Sequence, residues 1–255
     1  RYPETMNASN LKRLQNGIQR SLERSDIVIT DSEYIKGEIV QELGFDESRV
    51  EVIYPAATEE EAEQLPESYL AQKWGIRKPY ILYLGTIEPR KNINRLINAF
   101  EKACRELPVP PMLVLAGGTG WKAEDTHRLA AETLPGQIVM TGYISAAEKQ
   151  LLYQHAAQFV FPSLYEGFGI PVLEAMRYGI PVVCANTSSL PEVAGGSALL
   201  VDPMDVDDIA AGMLELLTDP ERAAEQSIAG KISAERFSWD KSAEKLMKIY
   251  RKLGA

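Results

Sequence analysis

The run YILYLGTIEPRKNINRLINAFEKACRELPVPPMLVLAGG, residues 80–118, holds one structural unit in full. Tyr80 to Leu84 is a continuous apolar stretch that stops at Gly85, and Met112 to Ala116 is another that stops at Gly117 and Gly118. Between them, Asn92 to Leu107 repeats apolar residues at the three- and four-residue spacing of a helix. Apolar strand, helix, apolar strand is a βαβ unit, with parallel strands covered on both faces. Working outward, Lys122 to Leu134 reads as a helix and Gln137 to Thr141 as a strand ending at Gly142. Ser145 and Glu148 have the spacing of a capping box and open a further helix. Gln158 to Phe161 is a strand, Ile170 to Tyr178 a helix closed by Gly179, and Pro181 to Ala185 and Ala198 to Val201 are the last strands. Helices follow from Asp205 onward. The alternation predicts an α/β fold, a Rossmann-like doubly wound parallel sheet over residues 67–238. Ligands of such sheets bind at the carboxyl ends of the strands, where these glycines fall.

The flanks read differently. Thr5 to Glu23 places Met6, Leu11, Leu14, Ile18 and Leu22 on one helical face, which needs a partner. Asp26 to Thr30 and Arg49 to Ile53 are short strands around a helix from Ser32 to Leu43 that Gly44 stops. Two strands alone do not make a stable sheet. Residues 55–66, with Glu59, Glu60, Glu61 and Glu63, read equally as a linker or as a solvated helix start. A final helix, Trp239 to Leu253, carries a stripe of Ala243, Leu246, Met247, Tyr250 and Leu253 that fits burial, with the Thr5 to Glu23 helix as its expected partner.

Composition excludes several functions. The 255 residues are 45% hydrophobic and 25% charged, so intrinsic disorder is not expected. The net charge is −9, without the Lys/Arg stripe that nucleic-acid backbones require. Cys104 and Cys184 each lie in an apolar stretch, too few for a disulfide framework, and predict a reducing, cytoplasmic setting. No run approaches the ~18 to 20 apolar residues of a membrane span. Arg1 to Asn10 has no signal-peptide core, and no initiator Met precedes it, so the chain reads as a processed product or a piece of a longer one. His127 and His155 lack ligand spacing, so neither a metal site nor a Ser-His-Asp type triad is expected.

Two constellations carry chemistry. In Leu84-Gly-Thr-Ile-Glu-Pro-Arg-Lys-Asn92, Arg90 and Lys91 place two cations at a helix start, against the helix dipole. They read equally as a diphosphate clamp and as a solvated pair. In Phe161-Pro-Ser-Leu-Tyr-Glu-Gly-Phe-Gly-Ile-Pro-Val-Leu-Glu174, Gly167 and Gly169 free the backbone so that amides can face a cleft, and Pro171 opens a helix. Glu166 and Glu174 bracket that loop. Such a pair fits glycoside hydrolysis, but carboxylates flanking an anion-friendly helix start fit better as grips on sugar and ribose hydroxyls. Gly117-Gly-Thr-Gly120 lacks the spacing of a dinucleotide fingerprint, and no Walker A pattern is present.

Together, GTIEPRKN, LVLAGG, TGYIS, FPSLYEGFGIPVLEAMRYGIPVV and SSLPEVAGGSALLVDP resemble, in that order and spacing, the retaining glycosyltransferases of family 4. Their GT-B fold has two Rossmann-like domains. The resemblance covers nearly the whole chain, and the pattern of Glu166, seven residues and Glu174 is its specific part. It implies a hexosyltransferase, in form most like bacterial mannosyltransferases of surface polysaccharide assembly that use GDP-mannose. Arg90 and Lys91 would then hold the donor diphosphate in place of a metal, with no cofactor. Gly85 and Thr86 would line that loop. Glu166 and the amides of Gly167, Phe168 and Gly169 would contact the donor sugar, Ile170 the phosphates, and Glu174 the ribose. Gly142 and Tyr143 would line the base pocket. Catalytic roles fall to Arg90, Lys91 and Glu166. Many members carry Arg where Thr86 stands, and Pro171 removes an amide that some relatives offer the phosphate.

The resemblance also implies that residues 1–54 are the end of an N-terminal acceptor-side domain, missing here and supplied in cis or trans. The acceptor would be a saccharide or lipid-linked saccharide, the complete enzyme peripheral at the inner face of the membrane, and 239–255 a crossover helix. A nucleotide-sugar binding module without activity, half of a split enzyme, or a GT-B epimerase are the alternatives.

Overall fold

The computed structural model describes residues 3–5, 8–58 and 61–254. Met6, on the first expected helical face, and Glu59 and Glu60 of the expected linker lie outside the described residues. The chain runs α1 (Ala8–Arg24), β1 (Val28–Thr30), α2 (Glu33–Leu43), β2 (Val50–Val52), α3 (Ser68–Trp74), β3 (Tyr80–Leu84), α4 (Ile93–Glu106), β4 (Met112–Ala116), α5 (Glu124–Glu132) and β5 (Ile138–Gly142). It continues α6 (Ala146–His155), β6 (Gln158–Phe161), α7 (Ile170–Tyr178), β7 (Val182–Ala185), α8 (Leu190–Ala194), β8 (Leu199–Val201), α9 (Val206–Thr218), α10 (Pro220–Ala234) and α11 (Trp239–Lys252).

Six parallel strands form one sheet in the order β5-β4-β3-β6-β7-β8. Counted within the sheet this is 3-2-1-4-5-6, the doubly wound order, and the direction of winding reverses between β3 and β6. β4, β6 and β7 are buried along their whole length, as the unbroken apolar runs demand. Tyr80, Leu82, Leu96, Phe100, Val114, Phe161, Leu173 and Val183 all sit in this core.

β1 and β2 pair in parallel as a separate two-stranded sheet. Such a pair needs outside support, which comes from α2 and from the segment of α8. Glu192 of α8 accepts from the amides of Glu33 and Tyr34 at 2.9 and 3.1 Å, filling two of the orphan donors at the start of α2. Ser32 caps the same helix by accepting from Ile35 and donates to the Gly167 carbonyl at 2.7 Å.

Two expectations fail at the ends of the chain. Ile18 and Leu22 of α1 line a groove with Ile35, Ile39 and Leu43 of α2 and Tyr165, so that face of α1 looks toward α2 and not toward α11. On α11 the buried residues are Ser242 and Ile249, while Met247, Tyr250 and Leu253 are about half exposed. The helix is rotated because its first turn is tied down: Ser242 donates to the Tyr54 carbonyl and Trp239 Nε1 to Thr58 Oγ1. α3 and α8 were not expected. Both are short and end in a left-handed glycine, Gly75 and Gly195, and neither is long enough to show a helical period.

Candidate functional site

The reversal of winding brings two loops to neighbouring strand ends, residues 85–92 after β3 and 162–169 after β6. Backbone bonds seat the first of them. Gly85 N donates to Ala116 O, Ile87 N to Gly118 O and Gly120 N to Ile87 O, each at 2.9 Å. A Cβ on Gly117 would stand 2.1 Å from the Gly85 carbonyl oxygen, so the Gly117-Gly-Thr-Gly120 run serves loop packing. Pro89 then opens a single 3-10 turn to Lys91 that sets Arg90 and Lys91 side by side. Asn92, buried and left-handed at φ 62°, closes it and donates from Nδ2 to the carbonyls of Pro162 and Pro203 at 3.0 and 2.6 Å. Leu164 N donates to Arg90 O at 2.9 Å, tying loop to loop.

The side chains converge in the same place. Glu166 Oε2 lies 2.9 Å from Arg90 Nη1 and its Oε1 2.6 Å from Lys91 Nζ. Arg90 also donates to the Tyr165 carbonyl at 2.6 Å and to Glu88 Oε1 at 2.8 Å. Lys91 stands 5.0 Å over the ring of Phe161, an attraction of about 0.5–2 kcal/mol. Burial pulls the Arg90 guanidinium's pKa down, but Glu166 and Glu88 more than reverse this, so it ends above its ordinary value. The solvated-pair reading of Arg90 and Lys91 is therefore wrong: both are drawn in by a buried carboxylate on the neighbouring loop.

The glycine loop is braced from behind. Ser188 accepts from Glu166 N at 3.0 Å, and Ser189 donates to the carbonyls of Glu166 and Phe168 at 3.0 and 2.8 Å. Phe168 packs its ring against Tyr54 and Phe237, which anchors the loop to the end of β2 and to the segment before α11. Gly169, at φ 107°, is the N-cap of α7, and Ile170 beside it is exposed. Glu174, one turn on, is held by Lys149 Nζ and the Tyr153 hydroxyl, each at 3.0 Å. Burial, then the Glu174 charge, push the Tyr153 phenol well above its ordinary pKa. Glu166 and Glu174 thus belong to separate clusters with their own cations. Gly142 N-terminal to Tyr143 joins the first loops, since Gly117 N donates to its carbonyl at 3.0 Å, and Tyr143 is 88% exposed. Thr86 is exposed at the surface of its loop.

Sequence reading missed Glu88, Asn92, Lys149, Tyr153, Ser188 and Ser189. Only Asn92 and the serines had a local signal, as residues that tolerate left-handed or turn backbone. Among the described residues no group of three or more His, Cys, Asp and Glu is placed to hold a metal ion, and no helix is long and apolar enough to cross a membrane.

Arg90 and Lys91 thus meet Glu166 and Glu88 at the switch point of a doubly wound sheet, the place where such folds bind their ligands. The chain belongs to the family described as glycosyl transferases group 1, whose model matches residues 70–233. It is 34% identical over 255 residues to O-antigen chain mannosyltransferase B of Escherichia coli, covering 98% of this chain and 67% of that protein. It is also 34% identical over 242 residues to the serotype-specific mannosyltransferase WbdA of Escherichia coli, covering 91% of this chain but 29% of the relative. Among solved structures, Anabaena Alr3699/HepE in complex with UDP and glucose superposes with TM-score 0.81 at 20% identity, covering 98% of this chain and 69% of that one. Sucrose-phosphate synthase from Thermosynechococcus elongatus does so with TM-score 0.81 at 23% identity, covering 98% and 63%. The fold is that of GT-B glycosyltransferases.

Proposed function

We propose that this chain is the donor-binding part of a retaining hexosyltransferase that moves mannose from GDP-mannose to a saccharide or lipid-linked saccharide. The observation that carries the reading is the meeting of Arg90, Lys91 and Glu166 at the switch point, beside the backbone of the Gly167 to Gly169 loop. Two cations and the start of α7 match a diphosphate, and preorganised charge of this kind stabilises the leaving group without a metal. Glu166 and the loop amides grip the sugar, Gly85 and Thr86 border the phosphates with Ile170, Glu174 takes the ribose, and Gly142 with Tyr143 meets the base. The bond from the anomeric carbon to the diphosphate oxygen breaks while the acceptor oxygen bonds on the same face. The acceptor proton passes to the departing diphosphate.

The mannose preference is supported by the Escherichia coli relatives, which are mannosyltransferases longer than this chain. On this reading residues 67–238 are the donor domain and 1–54 the end of an acceptor-side domain, with transfer on the cytoplasmic side. Calorimetric titration with GDP, UDP, ADP and GDP-mannose in EDTA tests it. Micromolar binding of GDP and GDP-mannose is expected. Preference for UDP overturns the donor, a requirement for metal overturns the clamp chemistry, and no binding of any nucleotide overturns the assignment of the site.

A further inference from the structure

The loop that carries Arg90 and Lys91 also carries a carboxylate that the proposed chemistry does not use. Glu88 occupies the N-cap position of the turn Pro89–Lys91 but its side chain makes no capping hydrogen bond, and its Oε1 lies 2.8 Å from Arg90 Nη2. Arg90 Nη1 is committed to Tyr165 O and Glu166, and Lys91 to Glu166. Two carboxylates thus face two cations, and the cluster is neutral. An arriving diphosphate competes with both carboxylates for the positive charge of Arg90 and Lys91. Glu166 has its own backbone fixed by Ser188 and Ser189, and its side chain is 10% exposed against 24% for Glu88. Glu88 is the one that returns to water at lower desolvation cost. Tethered two residues from Arg90, it also recaptures the guanidinium at high effective concentration.

We propose that Glu88 is a tethered counter-anion that competes with the diphosphate for Arg90 and hastens departure of the nucleoside diphosphate product. The inference rests on reading the cluster as a diphosphate clamp. The product's terminal phosphate carries more negative charge than the sugar-linked one, so uncompensated cations would retain product over donor. A competing carboxylate offsets that bias. Glu88 therefore acts on the bound diphosphate only through Arg90.

The test is binding of inorganic pyrophosphate, GDP, UDP and ADP to the wild-type chain and to Glu88→Gln, by calorimetry and stopped-flow, at several salt concentrations. The variant is expected to bind the anions about three- to tenfold tighter, to release them more slowly, and to lose affinity more steeply with salt. A merely structural Glu88, needed to hold Arg90 in place, gives the opposite sign: weaker binding in Glu88→Gln. Weaker or equal binding overturns the proposal. Glu88→Ala, which removes the carboxylate outright, is expected to move in the same direction as Glu88→Gln, so both substitutions must agree. Absence of anion binding by the wild-type chain strikes the clamp reading and this inference with it, whereas wild-type binding that Glu88→Gln leaves unstrengthened strikes Glu88 alone.

Discussion

Lys91 is 12% exposed and spends its charge on one oxygen of Glu166, while Arg90 takes the other oxygen. Removing Lys91 leaves Glu166 still paired, so the fold is spared but half the positive charge of the cluster is lost. Lys91→Ala is expected to weaken nucleoside diphosphate binding by ~1.5 to 3 kcal/mol, the range of a hydrogen bond to a charged group. Calorimetry against wild type checks it, and unchanged affinity would return Lys91 to a structural role. At this scale the sequence showed which residues carry charge but not whom they touch. Arg90 and Lys91 were equally readable as a solvated pair because their partner, Glu166, lies 75 positions away from Lys91.

Single elements depend on contacts of the same kind. α6 begins with the capping box of Ser145 and Glu148, which was legible as a local spacing. What was not legible is that the Glu148 carboxylate also binds Lys73 and Tyr69 of α3, a helix the sequence did not announce. Burial alone would raise the pKa of Glu148, but Lys73, the Ser145 amide and Tyr69 outweigh it and bring it from 4.5 down to about 2. A carboxylate depressed in this way adds stability above pH 4.5, and that stability is lost as the pH falls toward 2. Glu148→Gln is therefore expected to melt lower than wild type at pH 7, with the gap closing between pH 4.5 and 2. Thermal melts of both proteins across that range decide it, and a gap that stays constant would remove the charge from the explanation. The rotation of α11 has a similar origin. Its apolar stripe marked a face to bury, but the anchors at Tyr54 and Thr58 set which face turns inward.

For the whole molecule, the decisive contact is between the β1-α2-β2 unit and the glycine loop. Asp31, at the end of β1, stands so close to Gly167 that a Cβ there would lie 2.6 Å from its Oδ2. Glu192 holds the start of α2 and also accepts from the Tyr54 hydroxyl at 2.7 Å. Burial pushes the Tyr54 phenol's pKa up, with Glu192 adding to it. Glu192→Ala orphans two helix amides, which typically costs ~1 kcal/mol or more. Hydrogen exchange is expected to speed up at Glu33 and Tyr34 while β3, β4 and β6 keep their protection. Uniform protection across the chain would show that the unit docks without Glu192.

The strand-helix alternation and the glycines at strand ends determined the doubly wound sheet from sequence alone, because periodicity and apolar runs are local and each strand records its own burial. The Glu166 to Glu174 loop and the GTIEPRKN turn were legible as candidate sites for the same reason. Only the tertiary structure decided that the turn and the loop share one ion cluster, that Glu88 joins it through Arg90, and that α8 secures the N-terminal unit. Those pairings join residues far apart in the chain, and their strength comes from burial and distance, which no stretch of sequence contains.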